Sequence, residues 1–176
     1  MRKRQKKGFS LIELLIVVAI ILIIAAIAIP NLIRARIAAN QSSAAASLRT
    51  LGSSSAMFNS TYGDGYPPTL LILGPAAGGV ANCTNGAGLI DATLAGGQKS
   101  GYNFTWTPGT VAVNPVPGAC TAGFTDGFAA TAAPVSNNTG TITYCIDTSM
   151  VIVQNATGAG LANGTIACTG GQAIGQ

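Results

Sequence analysis

The chain has 176 residues, of which only 8% are charged, and it contains no histidine. Soluble domains carry about 25% charged residues, so this surface suits crowding against like copies better than steering an ionic ligand. The missing histidine removes the commonest general base and the commonest transition-metal ligand.

Residues 1–8 are a basic leader. Five of the nine basic residues (Arg2, Lys3, Arg4, Lys6, Lys7) precede Gly8, so the net charge of +4 belongs to the extreme amino terminus. Basic residues at that place set topology by staying on the cytoplasmic side of a membrane. From Phe9 to Ile29 the chain is apolar for 21 residues, with Ser10 and Glu13 as the polar interruptions. As a helix this run is roughly 30 Å long, one hydrocarbon thickness. An ordinary secretory signal has an apolar core of roughly 7–15 residues and a small-residue cleavage site after it. Here the core is longer and no A-x-A site follows. The small residue at the boundary is Gly8, and a cut there would leave the apolar run on the mature chain. A carboxylate inside such a run costs about 2.5–3.5 kcal/mol at mid-bilayer, so Glu13 needs a partner.

The segment KGFSLIELLIVVAIILIIAAIAIPNL resembles the amino-terminal signature of type IV pilins and of the pseudopilins of type II secretion. The resemblance covers about the first third of the chain. It implies that a prepilin peptidase cuts between Gly8 and Phe9 and then N-methylates Phe9. It places the family's glutamate on Glu13, to pair with the cationic amine of a neighbouring subunit's Phe9 and set filament register. It places the helix-kinking proline on Pro30. It also implies a homo-oligomeric helical filament, an inner-membrane assembly platform with a cytoplasmic ATPase, and membrane lipid around the apolar segment before assembly.

Proline inside a helix removes one hydrogen bond and crowds the preceding turn. The sequence therefore predicts a kink or local melting around Ala26–Pro30, with the helix resuming at Asn31. Leu32, Ile33, Ile37, Ala44, Leu48, Leu51 and Phe58 then fall near one face. One helix from about Ser10 to Asn59 is expected, apolar all round in its first half and amphipathic in its second. The glycines and prolines of Tyr62–Pro68 end it. Residues 69–97 read as a connecting loop with a short helix at Leu89–Leu94.

From Gly101 the period changes to two. Tyr102, Phe104 and Trp106 alternate with Asn103 and Thr105. Phe124–Ala133 is a weaker strand. Ile142, Tyr144 and Ile146 alternate with Thr143 and Cys145, and a turn at Asp147–Ser149 leads into Met150–Gln154 as a hairpin. The expectation is a three- or four-stranded antiparallel sheet whose aromatic face packs on Ile37, Leu48 and Leu51. The fold class is α+β: a long amino-terminal helix packed against a small antiparallel sheet, as in the pilin-like head. The expected organisation is 1–8 leader, 9–30 transmembrane and filament-core helix, 31–60 amphipathic helix, and 61–176 head.

The four cysteines (Cys83, Cys120, Cys145, Cys168) all lie in the head. An even count outside the cytoplasm favours two disulfides over a zinc site. Sequence leaves three connectivities open; loop length favours Cys145–Cys168 with Cys83–Cys120. The first of these would also tie down a Gly- and Ala-rich tail.

No catalytic motif is present: no G-x-S-x-G, no H-E-x-x-H and no phosphate-binding loop. No metal site or cofactor is expected, since Asp64, Asp126 and Asp147 are isolated and lack the spacing of a calcium loop. Nucleic-acid binding is not expected either. After Gly52 the chain offers Lys99 against four aspartates, and DNA affinity needs a basic patch. The reading is a structural filament subunit, held in the inner membrane with its head outside the cytoplasm before assembly. The alternatives are a major pseudopilin of a type II secretion piston and, in another class, a membrane-anchored adhesin or DNA-uptake module.

Overall fold

The computed structural model of the chain describes residues 9–63, 65–109, 112–113, 123–155, 167–168 and 170–174. The chain divides into two units, residues 1–36 and residues 37–176. One helix, α1 (Leu11–Tyr62), contributes to both. Its helical hydrogen bonding runs on through Ala26–Pro30. The local melting expected there is thus not seen. Proline lacks only the N–H that would reach the Ala26 carbonyl, and the turns on either side remain helical. Helix α1 ends at Tyr62, where Gly63 takes a left-handed φ of 113°, a conformation that costs glycine little.

Within residues 37–176, α1 buries Ala44, Leu48, Leu51 and Phe58, together with the small residues Ser47, Gly52, Ser54 and Ser55. The small residues let the sheet come close. A Cβ on Gly52 would lie 2.7 Å from Ile146 Cδ1. The buried face starts later than the sequence periodicity suggested. Leu32 is 70% exposed and Ile33 47%, and Ile37 is half-buried. The head first grips the helix through polar bonds, from Asn40 Nδ2 to the Thr139 carbonyl (3.0 Å) and from Gln41 Nε2 to Thr141 Oγ1 (3.1 Å). Helical spacing shows which face is apolar but not where a cover begins.

After α1 come a 3₁₀ turn at Leu70–Leu73 and a single-turn helix α2 (Ala92–Ala95). The latter falls at the end of the segment expected to be helical. Asp91 caps it by accepting from the Leu94 N–H at 2.9 Å, as N-cap aspartates do. The strands are β1 (Gln98–Lys99), β2 (Tyr102–Pro108), β3 (Ala112–Val113), β4 (Phe124–Thr125), β5 (Phe128–Pro134), β6 (Thr143–Asp147), β7 (Ile152–Asn155) and β8 (Gln172–Ala173). Six of them form one antiparallel sheet in the order β1-β2-β5-β6-β7-β8, and β3 pairs with β4 apart from it. The sheet is wider than the expected three or four strands because two-residue edges, β1 and β8, extend it. The expected strand 124–133 is two strands, interrupted at Asp126–Gly127.

Alternation holds where the sheet faces α1. Tyr102, Phe104, Tyr144, Ile146 and Ile152 share one buried cluster with Leu48, Leu51 and Phe58. Aromatic contacts knit it together, with Phe58 5.2 Å from Phe124 and 4.9 Å from Tyr62. Trp106 is only half-buried. It stacks on Phe128 at 4.6 Å and donates from Nε1 to the Pro67 carbonyl, so the indole N–H has the partner that burial demands. The opposite face of the sheet carries a smaller cluster of Ala129, Cys145, Val153 and Cys168.

The favoured Cys145–Cys168 disulfide is present. Cys83 is buried and disulfide-bonded; Cys120 lies outside the described residues. The end of the chain is tied as expected, since β8 pairs with β7 and the Ile174 N–H donates to the Ile152 carbonyl at 2.8 Å.

Candidate functional site

Residues 9–36 hold an unusual surface. Phe9 is 82% exposed, Leu11 77%, Ile27 67% and Leu32 70%. Every residue of this stretch except half-buried Ala25 is exposed. Among the described residues, α1 is the one helix long and apolar enough to cross a membrane. An aliphatic surface of this extent is not stable in water and has to be covered by lipid or protein.

At the start of this surface Ser10 precedes the first helical residue, Leu11. The Ser10 N–H donates to Glu13 Oε2 at 3.1 Å, and the Leu14 N–H donates to the Ser10 carbonyl at 3.2 Å. This is the glutamate half of a capping box, with the acid three residues after the cap. The negative side chain also lies at the positive end of the helix dipole. Sequence reading singled out Glu13 and passed over Ser10, although Ser-x-x-Glu before an apolar run is the signal for this contact. Among the described residues Glu13 has no cationic partner. Gly8 lies outside the described residues, as do the basic residues before it. Arg34 and Arg36 are exposed beyond the apolar run.

Among its described residues the head contains no comparable concentration of chemistry. The Lys99 ammonium sits 2.8 Å from Asp91 Oδ2, and that bond together with the Leu94 N–H holds the Asp91 carboxyl down at about 2. Burial pushes the Tyr102 phenol up to about 12; its hydroxyl donates to the Ile142 carbonyl at 3.0 Å. Burial raises Tyr144 as well. A groove of about 460 Å³ runs between α1 and the β6–β7 hairpin, lined by Arg49, Gly52, Ser53, Ala56, Ile146 and Met150 among others. Among the described residues that line it, Arg49 is the one ionisable side chain. No three metal-binding side chains converge among the described residues.

Residues 3–29 match the model of the prokaryotic N-terminal methylation motif. The amino terminus is therefore similar to a prokaryotic N-terminal methylation motif. Part of the chain is also similar to two pilus proteins. One is the type IV wide pilus major component PilA4 of Thermus thermophilus, 68% identical over 37 residues, which cover 21% of this chain and 28% of that protein. The other is the type IV major pilin protein PilA of Myxococcus xanthus, 55% identical over 47 residues, 27% of this chain and 21% of that protein. The chain thus spans about a quarter of the length of the relatives it matches. No solved structure matches it significantly. The methylation motif coincides with the exposed apolar rod and its capped glutamate. The head contributes an α+β scaffold of long helix and antiparallel sheet.

Proposed function

We propose that the chain is the structural subunit of a type IV pilus-like filament. A prepilin peptidase cuts between Gly8 and Phe9 and methylates the new Phe9 amine. The mature chain waits in the inner membrane with its rod in lipid and its head outside the cytoplasm. An assembly platform driven by a cytoplasmic ATPase then draws rods together, and each exchanges lipid for sister rods. The contact between successive copies is heterologous and does not close, so it propagates as a helix. Glu13 sets the register by pairing with the Phe9 amine of a neighbour, because a shifted rod would leave both charges unpaired in an apolar core. The role is structural, not catalytic.

One observation carries this reading: the segment that matches the methylation motif is a helix whose aliphatic side chains are exposed among the described residues. Mass spectrometry of the mature polypeptide tests it. The expected first residue is N-methylated Phe9, with the rod retained. A mature chain that begins downstream of Ile29 overturns it.

A further inference from the structure

The carboxylate of Asp147 has no part in the filament reading, yet it is among the most fully used side chains in the head. It sits at the end of β6, two residues after Cys145, and is 9% exposed. Two residues along a strand is one full period, so Cys145 and Asp147 share the sheet face that points away from α1. One oxygen, Oδ1, accepts from the Ser149 N–H at 2.8 Å, and the Asp147 carbonyl accepts from the Met150 N–H at 2.9 Å. These two bonds shape the turn between β6 and β7. The other oxygen, Oδ2, accepts from the Cys168 N–H at 2.8 Å across 21 residues of sequence. Cys168 is the residue whose sulfur is bonded to Cys145. The carboxylate therefore holds the backbone of one cysteine beside the strand that carries the other.

We propose that Asp147 is a positioning residue for disulfide formation, holding the Cys168 amide so that Cys145, and not another cysteine, is its partner. The order of events follows from sequence distance. The 147–150 turn is local and forms with the β6–β7 hairpin, whereas Cys168 must return over a loop of 23 residues. The hairpin thus presents a finished acceptor before the tail arrives. Four cysteines allow three pairings, and the acceptor discriminates among them by which cysteine's amide it can hold. A charged oxygen makes a stronger hydrogen bond to a backbone N–H than a neutral one does. The carboxylate does not activate the sulfur, since a negative neighbour disfavours the thiolate; it acts through the backbone of Cys168.

The chemistry is exchange with an external disulfide, such as oxidised glutathione. The thiolate of Cys168, the more accessible of the two, attacks one sulfur of that disulfide. A mixed disulfide forms and one glutathione thiolate leaves. The Cys145 thiolate then attacks the Cys168 sulfur of the mixed disulfide, closing the protein bond and expelling the second glutathione thiolate. The two cysteines lose two protons and two electrons, and the glutathione disulfide gains the electrons.

The full chain is reduced and unfolded, then returned to detergent solution at pH 7 in a glutathione redox buffer. Cysteine pairing is read by mass spectrometry of unreduced peptides. Asp147→Asn keeps one side-chain oxygen for the turn but replaces the other with an amide nitrogen that cannot accept. It is expected to lower the ratio of Cys145–Cys168 to alternative pairings about tenfold. A ratio equal to that of the natural chain overturns the proposal. The turn is separated from the amide by adding Met150→Gly, which relieves the left-handed Met150 (φ 60°) in the same turn. Pairing that returns to the natural ratio in the double variant means that the turn alone was at fault, and overturns the proposal. Pairing that stays about tenfold short upholds it, including where Asp147→Asn alone fails to fold and Met150→Gly restores the fold. A second readout removes competition. With Cys83→Ser and Cys120→Ser in place, the equilibrium constant of the Cys145–Cys168 bond against glutathione is expected to fall by the same factor on Asp147→Asn. An unchanged constant overturns the proposal.

Discussion

Ile27 and Leu48 are aliphatic side chains on the same helix, yet Ile27 is 67% exposed and Leu48 is fully buried. The contrast extends to the whole of the two units that contain them. Residues 9–36 present isoleucine, leucine and valine on every side of the helix and cover almost none of them. Among the described residues of 37–174, most buried aliphatic and aromatic side chains fall in one cluster between α1 and the sheet, with a smaller one on the sheet's other face. The same apolar chemistry thus serves two ends. In the head it is satisfied inside one chain and supplies stability. In the rod it is left open, and its free energy is realised only when the surroundings supply a second apolar surface. Changes in the two units should accordingly separate, those in the rod acting on assembly and those in the head on melting.

The largest effect is expected from Glu13→Ala. It should abolish filaments seen by electron microscopy while leaving the melting temperature of the head, and retention in the membrane, unchanged. Normal filaments from this variant would break the comparison on the rod side. Next is Phe58→Ala, which removes a fully buried ring packed on Phe124 and Tyr62. A loss of about 3–5 kcal/mol is expected, measured by denaturant unfolding of the full chain in detergent. Replacing both Cys145 and Cys168 by serine should cost about 3 kcal/mol by the chain-entropy argument for a loop of this length, again by unfolding in detergent.

Gly140→Ala is expected to cost about 1–3 kcal/mol. A Cβ there would collide with the buried ring and hydroxyl of Tyr102, and the ring cannot retreat without losing the bond to the Ile142 carbonyl. The smallest effect concerns pH. Burial pushes the Asp147 carboxyl up, but the hydrogen bonds from Ser149 and Cys168 outweigh it, and the group lies below its ordinary 3.8. A carboxylate depressed on folding contributes stability that is present above the unfolded value and lost as pH falls through the folded one. Melting temperature should therefore decline in acid below about pH 4, and Asp147→Asn should flatten that decline.

The rod was legible before the fold because its information is local. A 21-residue apolar run, a basic leader and a glutamate at one fixed place need no tertiary context to be read. The long strands were legible for the same reason: Tyr102, Phe104 and Trp106 alternate at the period of a pleat. The pairing of Cys145 with Cys168 followed the shorter loop. What escaped depends on contacts between distant residues. The edge strands Gln98–Lys99 and Gln172–Ala173 are two residues each and carry no period of their own; only the neighbour's open edge makes them strands. The exposure of Leu32 and Ile33 depends on how far the cover over α1 extends, which helical spacing does not encode. Gly140 reads as an ordinary loop glycine until the Tyr102 ring is placed against it. Two signals were present and unread. Ser10 stands three residues before Glu13, and Asp147 stands two before Ser149, the spacing at which an aspartate side chain closes a turn on its own backbone.

The bond between Cys145 and Cys168 also decides how a pull travels. Tension on the tail at Cys168 enters β6 through sulfur, and β6 is flanked by β5 and β7 within the sheet. Peeling of the short edge strand β8, which lies beyond Cys168 and gives way one hydrogen bond at a time, therefore stops at the disulfide. A fibre whose outer layer is drawn through medium or across a surface would feel that force in the middle of its sheets.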